Sequence, residues 1–255
     1  MRTKTIFVDL DETLLNDRKF VSRKTLDAIK KAKAKGHIII PCTGSPMDAQ
    51  IRRIIAAEFD YIISSNGAFI YDIKNNKTLH SDLIPPDTAE KIFELATPYS
   101  DCFCIHYGTV SYNTPLFLDS NNITQIEPWF ESLERAREFS EVLDEFNKNN
   151  NLRVANKSLA LSDPSFPAPL NIGFDIVNST VSKGNGIRKF CELLSLDKSD
   201  TIAIGDGLND IGMFENVNIK VAMGNALPQL KNLADIIVSD NNNDGVAEFL
   251  ETLLH

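Results

Sequence analysis

Short apolar runs, each ending in polar or glycine-bearing residues and followed by a helical period, decide what this 255-residue chain can fold into. They are Thr5–Val8, His37–Cys42, Asp60–Ser64 and Thr201–Ile204. All are rich in β-branched or aromatic residues, and apolar side chains occupy successive rather than alternate positions. A strand of that composition is buried on both faces, which is the pattern of a parallel sheet covered by helices. The intervening helices are marked as well. Ser22 is an N-cap for a helix through about Lys35, with Leu26 and Ile29 inward and Gly36 as its stop. Pro46 opens a helix carrying Ile51, Ile54 and Ile55. After Lys183, Ile187, Phe190, Leu193 and Leu194 form a helix face. Ile219–Met223 and Ala234–Val238 are two further strands, and Val246, Phe249, Leu250 and Leu253 line a last helix.

Between these halves the pattern changes. Residues 81–179 read as an inserted α/β domain, and residues 1–80 with 180–255 as a doubly wound α/β core. Within the insertion, Asp87–Glu90 has the form of a capping box leading into Ile92 and Phe93. Asp101–Tyr107 and Val110–Tyr112 read as a hairpin turning at Gly108. Pro128–Phe146 reads as a helix broken near Ser140. Leu152–Leu161 and Leu170–Val177 read as strands, joined by a loop bearing Pro164, Pro167 and Pro169.

Composition removes several function classes. With 26 Lys+Arg against 35 Asp+Glu the net charge is −9, which argues against a nucleic-acid or anionic-membrane surface. No apolar run approaches the length of a membrane span, and Met1–Lys4 leaves no apolar leader before the first strand. Cys42, Cys102, Cys104 and Cys191 lack the paired spacing of a zinc site, and Cys102 and Cys104, on one face of a strand, read as free buried thiols rather than metal ligands. His37, His80, His106 and His255 form no metal-binding motif. The expected compartment is the cytoplasm.

Chemistry concentrates where the apolar runs end. Asp9 and Asp11 follow the first strand, and alternate residues of an extended chain face one way. In open α/β sheets the carboxyl ends of the strands are where ligands bind. Two acids held there repel, shift their pKa values or share a cation, and Mg²⁺ suits such oxygen ligands. Thr43 and Gly44, at the end of the second run, join a hydroxyl to the amides of a helix start, a small anion cradle. Lys183 stands where the core pattern restarts. Gly205-Asp206-Gly207-Leu208-Asn209-Asp210 follows a buried strand and offers three oxygen-bearing side chains in a tight turn.

Taken together, these stretches resemble the motifs of the haloacid dehalogenase (HAD) superfamily. Asp9-Leu10-Asp11-Glu12-Thr13 is similar to DxDxT, Thr43 to the second motif, Lys183 to the third, and Gly205–Asp210 to GDxxND. Ser65-Asn66-Gly67-Ala68, Ala222–Ala226 and Asp244–Ala247 narrow the resemblance to Cof-type phosphatases, whose inserted cap is of the C2B type. The resemblance implies Mg²⁺-dependent hydrolysis of a small phosphorylated metabolite, with sugar phosphates the expected class. Asp9 would be the nucleophile and Asp11 the general acid and base. Thr43, Gly44, Lys183 and Asn209 would hold the phosphoryl group. Asp9, Asp206, Asp210 and the backbone carbonyl of Asp11 would hold the metal. One departure matters: relatives often carry Arg where this chain has Ser45, so that contact is lost unless the cap supplies a cation, for which Arg135, Arg153 and Lys157 are candidates. A phosphosugar mutase and a non-catalytic phosphometabolite sensor are the alternatives. Neither the substrate nor the oligomeric state is legible.

Overall fold

The computed structural model describes residues 2–114, 121–157 and 172–254. The chain divides into two compact units. The first comprises Met1–Ser45, Ala49–His80 and Ser182–His255, and the second comprises Pro46–Asp48 and Ser81–Val181.

The chain opens with β1 (Thr5–Val8), buried at every position. Helix α1 (Arg23–Ala34) follows, its N-cap Ser22 accepting a hydrogen bond from the Thr25 amide, as the sequence predicts. Next come β2 (Ile38–Pro41), α2 (Met47–Ile54) and β3 (Tyr61–Ser64). Past β3 the chain turns through Ser65–Gly67 and forms two strands the sequence reading does not contain, β4 (Phe69–Asp72) and β5 (Lys77–Ser81). With β3 they make a three-stranded sheet.

The second unit holds α3 (Pro86–Ala96), β6 (Cys102–His106), β7 (Ser111–Thr114), β8 (Gln125–Phe130), α4 (Leu133–Asn147), β9 (Leu152–Lys157) and β10 (Ile172–Asn178). Its five-stranded sheet runs β7-β6-β8-β10-β9 with antiparallel neighbours. Three expectations are corrected here. Pro128 lies in a strand, because Gln125–Phe130 pairs with β6, Phe103 standing opposite Pro128. Proline lacks an N–H, and the ladder to β10 allows for it: pairing runs Gly173 to Trp129 and resumes at Ile176 with Ile126. Helix α4 starts later and runs unbroken through Ser140. Asp87 caps nothing, since α3 begins at Pro86 with no side-chain cap. The proline-bearing loop expected around Pro164, Pro167 and Pro169 lies outside the described residues.

The chain then returns to the first unit with α5 (Lys183–Leu194), β11 (Thr201–Gly205), α6 (Ile211–Glu215), β12 (Ile219–Ala222), α7 (Pro228–Lys231), β13 (Ile236–Ile237) and α8 (Gly245–Thr252). Its five-stranded sheet has the order β13-β12-β11-β1-β2, with parallel neighbours throughout. Strand β1 sits between β2 and β11, and Lys4, just before it, pairs with Asp200, just before β11, at 2.8 Å. From β1 the chain steps outward one way to β2, and from β11 the other way to β12 and β13. That reversal opens a crevice at the carboxyl ends of β1 and β11. No helix among the described residues is long and apolar enough to cross a membrane.

Candidate active site

The amide of Asp9 still belongs to the sheet, donating to the Ile204 carbonyl at 3.0 Å. Beyond that bond the strand ends, Leu10 turns into the core, and the Asp9 side chain is left buried at the crevice. Because Val8 stands opposite Ile204, the end of β11 places Asp206 beside it. Thr13 fixes that second carboxylate, its hydroxyl donating to Asp206 Oδ1 at 2.5 Å.

Lys183 is the first residue of α5, whose N-cap is Ser182. Its ammonium is buried, 2.5 Å from Asp9 Oδ1 and 2.7 Å from Asp210 Oδ1. Asp210 is fully buried, and its other oxygen accepts from the amides of Asp206 and Gly207 at 2.9 and 3.0 Å. A single carboxylate therefore ties the loop after β11 to the start of α5. Asn209 is half-buried in the same loop, its Oδ1 held over Gly207.

Asp9, Asp206 and Asp210 bring oxygens within 4.8 Å of one another. Burial lifts the pKa of Asp9 well above the carboxylate range, and Asp210 adds repulsion that the pull of Lys183 does not cancel. Asp206 is pushed up to about 6, chiefly by burial, against the hydrogen bond from Thr13. Burial also opposes the charge on Lys183, yet Asp210 and Asp9 outweigh it and keep the ammonium protonated. Three carboxylates thus face one ammonium. An all-oxygen donor set with uncompensated negative charge fits a hard divalent cation.

Thr43 follows β2, its amide donating to the Ile63 carbonyl at 2.9 Å. Its buried hydroxyl accepts from the Ser45 amide at 3.1 Å, which leaves the O–H free to donate. Gly44 is packed by Asn66: a Cβ there would lie 3.0 Å from Asn66 Oδ1. Asn66 itself sits at φ 56° and donates its amide to the Thr43 carbonyl at 3.1 Å. Next to it Gly67, at φ 102°, lies so close to α5 that a Cβ would come within 2.2 Å of the Ser182 carbonyl oxygen. The Ser65–Gly67 turn therefore joins the Thr43 loop to the helix that carries Lys183.

Asp11 points away from this cluster. Its carboxylate is half-exposed, with Oδ1 2.9 Å from Lys19 Nζ and Oδ2 3.1 Å from Gln50 Nε2. Arg53 Nη1 lies 3.4 Å from Gln50 Oε1 and 3.9 Å from Asp11 Oδ1. Sequence reasoning misses Lys19, which reaches back from the polar turn after the motif. It also misses Gln50 and Arg53, which only the fold brings to Asp11; their three-residue spacing on one helix face is the available signal. Two of the three candidate cations for the Ser45 position are engaged elsewhere. Arg135 pairs with Asp101 at 2.7 Å, and Arg153 donates to the Val181 carbonyl at 2.7 Å. The Lys157 side chain lies outside the described residues.

The profile of the haloacid dehalogenase-like hydrolases matches residues 6–250. The 5-amino-6-(5-phospho-D-ribitylamino)uracil phosphatase YcsE of Bacillus subtilis is 30% identical, over 96% of this chain and 93% of its own. The crystal structure of TM0651 from Thermotoga maritima is similar at TM-score 0.81 and 25% identity, covering 98% of this chain and 97% of that one. The HAD subclass IIB sugar phosphatase BT4131 shares the fold at TM-score 0.76 and 20% identity, over 98% and 99% of the two chains. With a profile match running from β1 into α8 and a doubly wound core in agreement, this chain belongs to the haloacid dehalogenase-like hydrolases, among their Cof-type phosphatases, which act on phosphate monoesters.

Proposed function

We propose that the chain is a Mg²⁺-dependent phosphatase of small phosphate monoesters, of the sugar-phosphate class, working through an aspartyl-phosphate on Asp9. The observation that carries this reading is the buried Asp9 carboxylate held by Lys183 beside Asp206 and Asp210. A carboxylate so placed is aimed by its partners and stripped of competing water, as a nucleophile must be.

Asp9 oxygen forms a bond to phosphorus as the ester P–O bond breaks, and Asp11 delivers a proton to the departing oxygen. A water then attacks the same phosphorus, Asp11 takes its proton, and the Asp9–phosphorus bond breaks to release inorganic phosphate. Asp11 must first exchange its contacts with Lys19 and Gln50 for the leaving group. Thr43 Oγ1, the Gly44 amide, Lys183 and Asn209 donate to the phosphoryl oxygens, where charge accumulates. Asp9, Asp206 and the Asp11 carbonyl are the proposed Mg²⁺ ligands, with Asp210 orienting them. The ion neutralises phosphoryl charge when bound.

The sugar-phosphate class is supported by YcsE, whose named substrate carries its phosphate on a ribityl chain. Residues 81–179 are proposed as a C2B-type cap that selects the remainder of the substrate, and the cytoplasm as the compartment. The test is phosphate release from an aryl phosphate with Mg²⁺, followed by a panel of phosphorylated sugars, polyols, nucleotides and cofactors. Release from the aryl ester and preference for sugar or polyol phosphates are expected. No release from any member would overturn the reading in favour of a sensor, and transfer to a sugar acceptor would mark a mutase.

A further inference from the structure

A second cluster of metal-binding side chains lies within the antiparallel sheet of the second unit. Cys104 and His106 alternate along β6 on the face opposite Phe103 and Ile105, which belong to the apolar core. The β6–β8 register sets Cys104 opposite Glu127 and His106 opposite Gln125. A thiol, an imidazole and a carboxylate therefore converge from adjacent strands, with one ligand atom of each within 4.8 Å of the others.

All three residues are buried, His106 completely. His106 Nε2 lies 2.8 Å from Glu127 Oε1, and Gln125 donates to the same oxygen at 2.6 Å, which fixes the carboxylate. The surroundings are acidic. Burial pushes the Cys104 thiol up to about 12, and Glu127, Asp48 and Asp175 add to that rise against a hydrogen bond with Ser111. Asp48 is itself held there by the Ser111 amide at 2.9 Å and by the Ser111 hydroxyl at 2.9 Å. These hydrogen bonds hold the carboxylates in place, and a cation among the three ligand atoms would add a direct counter-charge.

We propose that Cys104, His106 and Glu127 form a binding site for a borderline divalent transition metal, Zn²⁺ foremost. One sulfur, one nitrogen and one oxygen make a donor set that suits Zn²⁺ and not Mg²⁺. Tetrahedral ligands around zinc lie about 3.3–3.7 Å apart, so Cys104 must close on the other two while His106 Nε2 and Glu127 Oε1, 2.8 Å apart, separate slightly. On binding, the thiol gives its proton to solvent and its sulfur becomes the metal–thiolate ligand. The ion cross-links β6 to β8, and Gln125 steadies Glu127 behind it. The site is separate from Asp9, Asp206 and Asp210 in residues and in donor chemistry, so it stands whether or not the phosphatase reading does.

Co²⁺ titration of chelator-stripped, full-length protein tests it, because only a thiolate ligand gives a near-ultraviolet sulfur-to-cobalt charge-transfer band. The wild type and Cys102→Ser should show the band, Zn²⁺ should bleach it, and excess Mg²⁺ should not. Cys104→Ser should lose it. Absence of the band in wild type, or its persistence in Cys104→Ser, overturns the proposal. If Cys104→Ser fails to fold by circular dichroism, Glu127→Gln decides: Co²⁺ affinity at the thiolate band should fall at least about tenfold, and an unchanged affinity overturns the assignment.

Discussion

The two units each build a five-stranded sheet, yet they put polar residues in opposite places. In the parallel sheet, β1 and β11 are buried at every position, and charge begins only past their ends, at Asp9 and Asp206. In the antiparallel sheet, Cys104, His106, Gln125 and Glu127 sit within the strands themselves. The cause is how strands are connected. Parallel strands need crossover helices, which cover both faces and leave only the rim for ionised groups. The antiparallel sheet packs α3 and α4 against one face, where Ile92, Phe139, Phe103 and Phe174 share a core. Its other face is free to carry polar side chains. Chemistry at a parallel sheet is therefore local to each strand end, whereas chemistry on an antiparallel face is assembled across strands.

That contrast can be tested by striking each sheet where it is said to act. The largest effect is expected at the rim of the parallel sheet. Asp9→Asn should lower kcat at least about 10⁴-fold with an unchanged circular dichroism spectrum; substantial turnover by the pure variant would remove the covalent mechanism. Phe139→Ala strikes the apolar face of the other sheet, where its ring lies 5.3 Å from Phe130 and 5.4 Å from Phe174. It should cost about 3–5 kcal/mol in denaturant unfolding and leave kcat on a small aryl phosphate intact. A fall in kcat for the folded variant would show that the two sheets do not separate chemistry from packing.

Smaller effects sharpen the rim itself. Calorimetric titration with Mg²⁺ should show Asp206→Asn weakening binding about 10–100-fold and Asp11→Asn far less, if Asp11 contributes its carbonyl as proposed. Equal losses would contradict that division of labour. Ser45→Arg should raise kcat/KM for substrates with a second anionic group over neutral-sugar monophosphates by up to about tenfold. An unchanged ratio would mean that position 45 does not face the substrate.

The same contrast explains what could be read from the sequence. Ser22 and its helix were legible because a cap and its amide lie three residues apart. Asp9, Thr43, Lys183 and Asp206 were legible because each ends or starts an element with its own local signature. The Lys183–Asp210 clamp on the Asp206 loop was not, since GDxxND gives no hint of where its last carboxylate points. Gln50 and Arg53 meet Asp11 only through the tertiary fold. Pro128 misled because a proline among apolar residues mimics a helix start, while the gap in the β8–β10 ladder that accepts it is invisible in one strand. Cys104 and Glu127 are 23 residues apart (127 − 104), and only the β6–β8 register makes them neighbours.

The place of β1 between β2 and β11 also has a meaning in time. Its second neighbour is far downstream: Lys4 and Asp200, which pair beside the two strands, are 196 positions apart. A ribosome adding about 5–20 residues per second takes roughly 10–40 s to cover that distance. Throughout that interval one edge of β1 has no partner from its own sheet, and unpaired edges recruit wrong ones. The Asp9 carboxylate and the ammonium that holds it share the delay, being 174 positions apart. Asp9 is made well before Lys183, so its site closes only after those positions have been added.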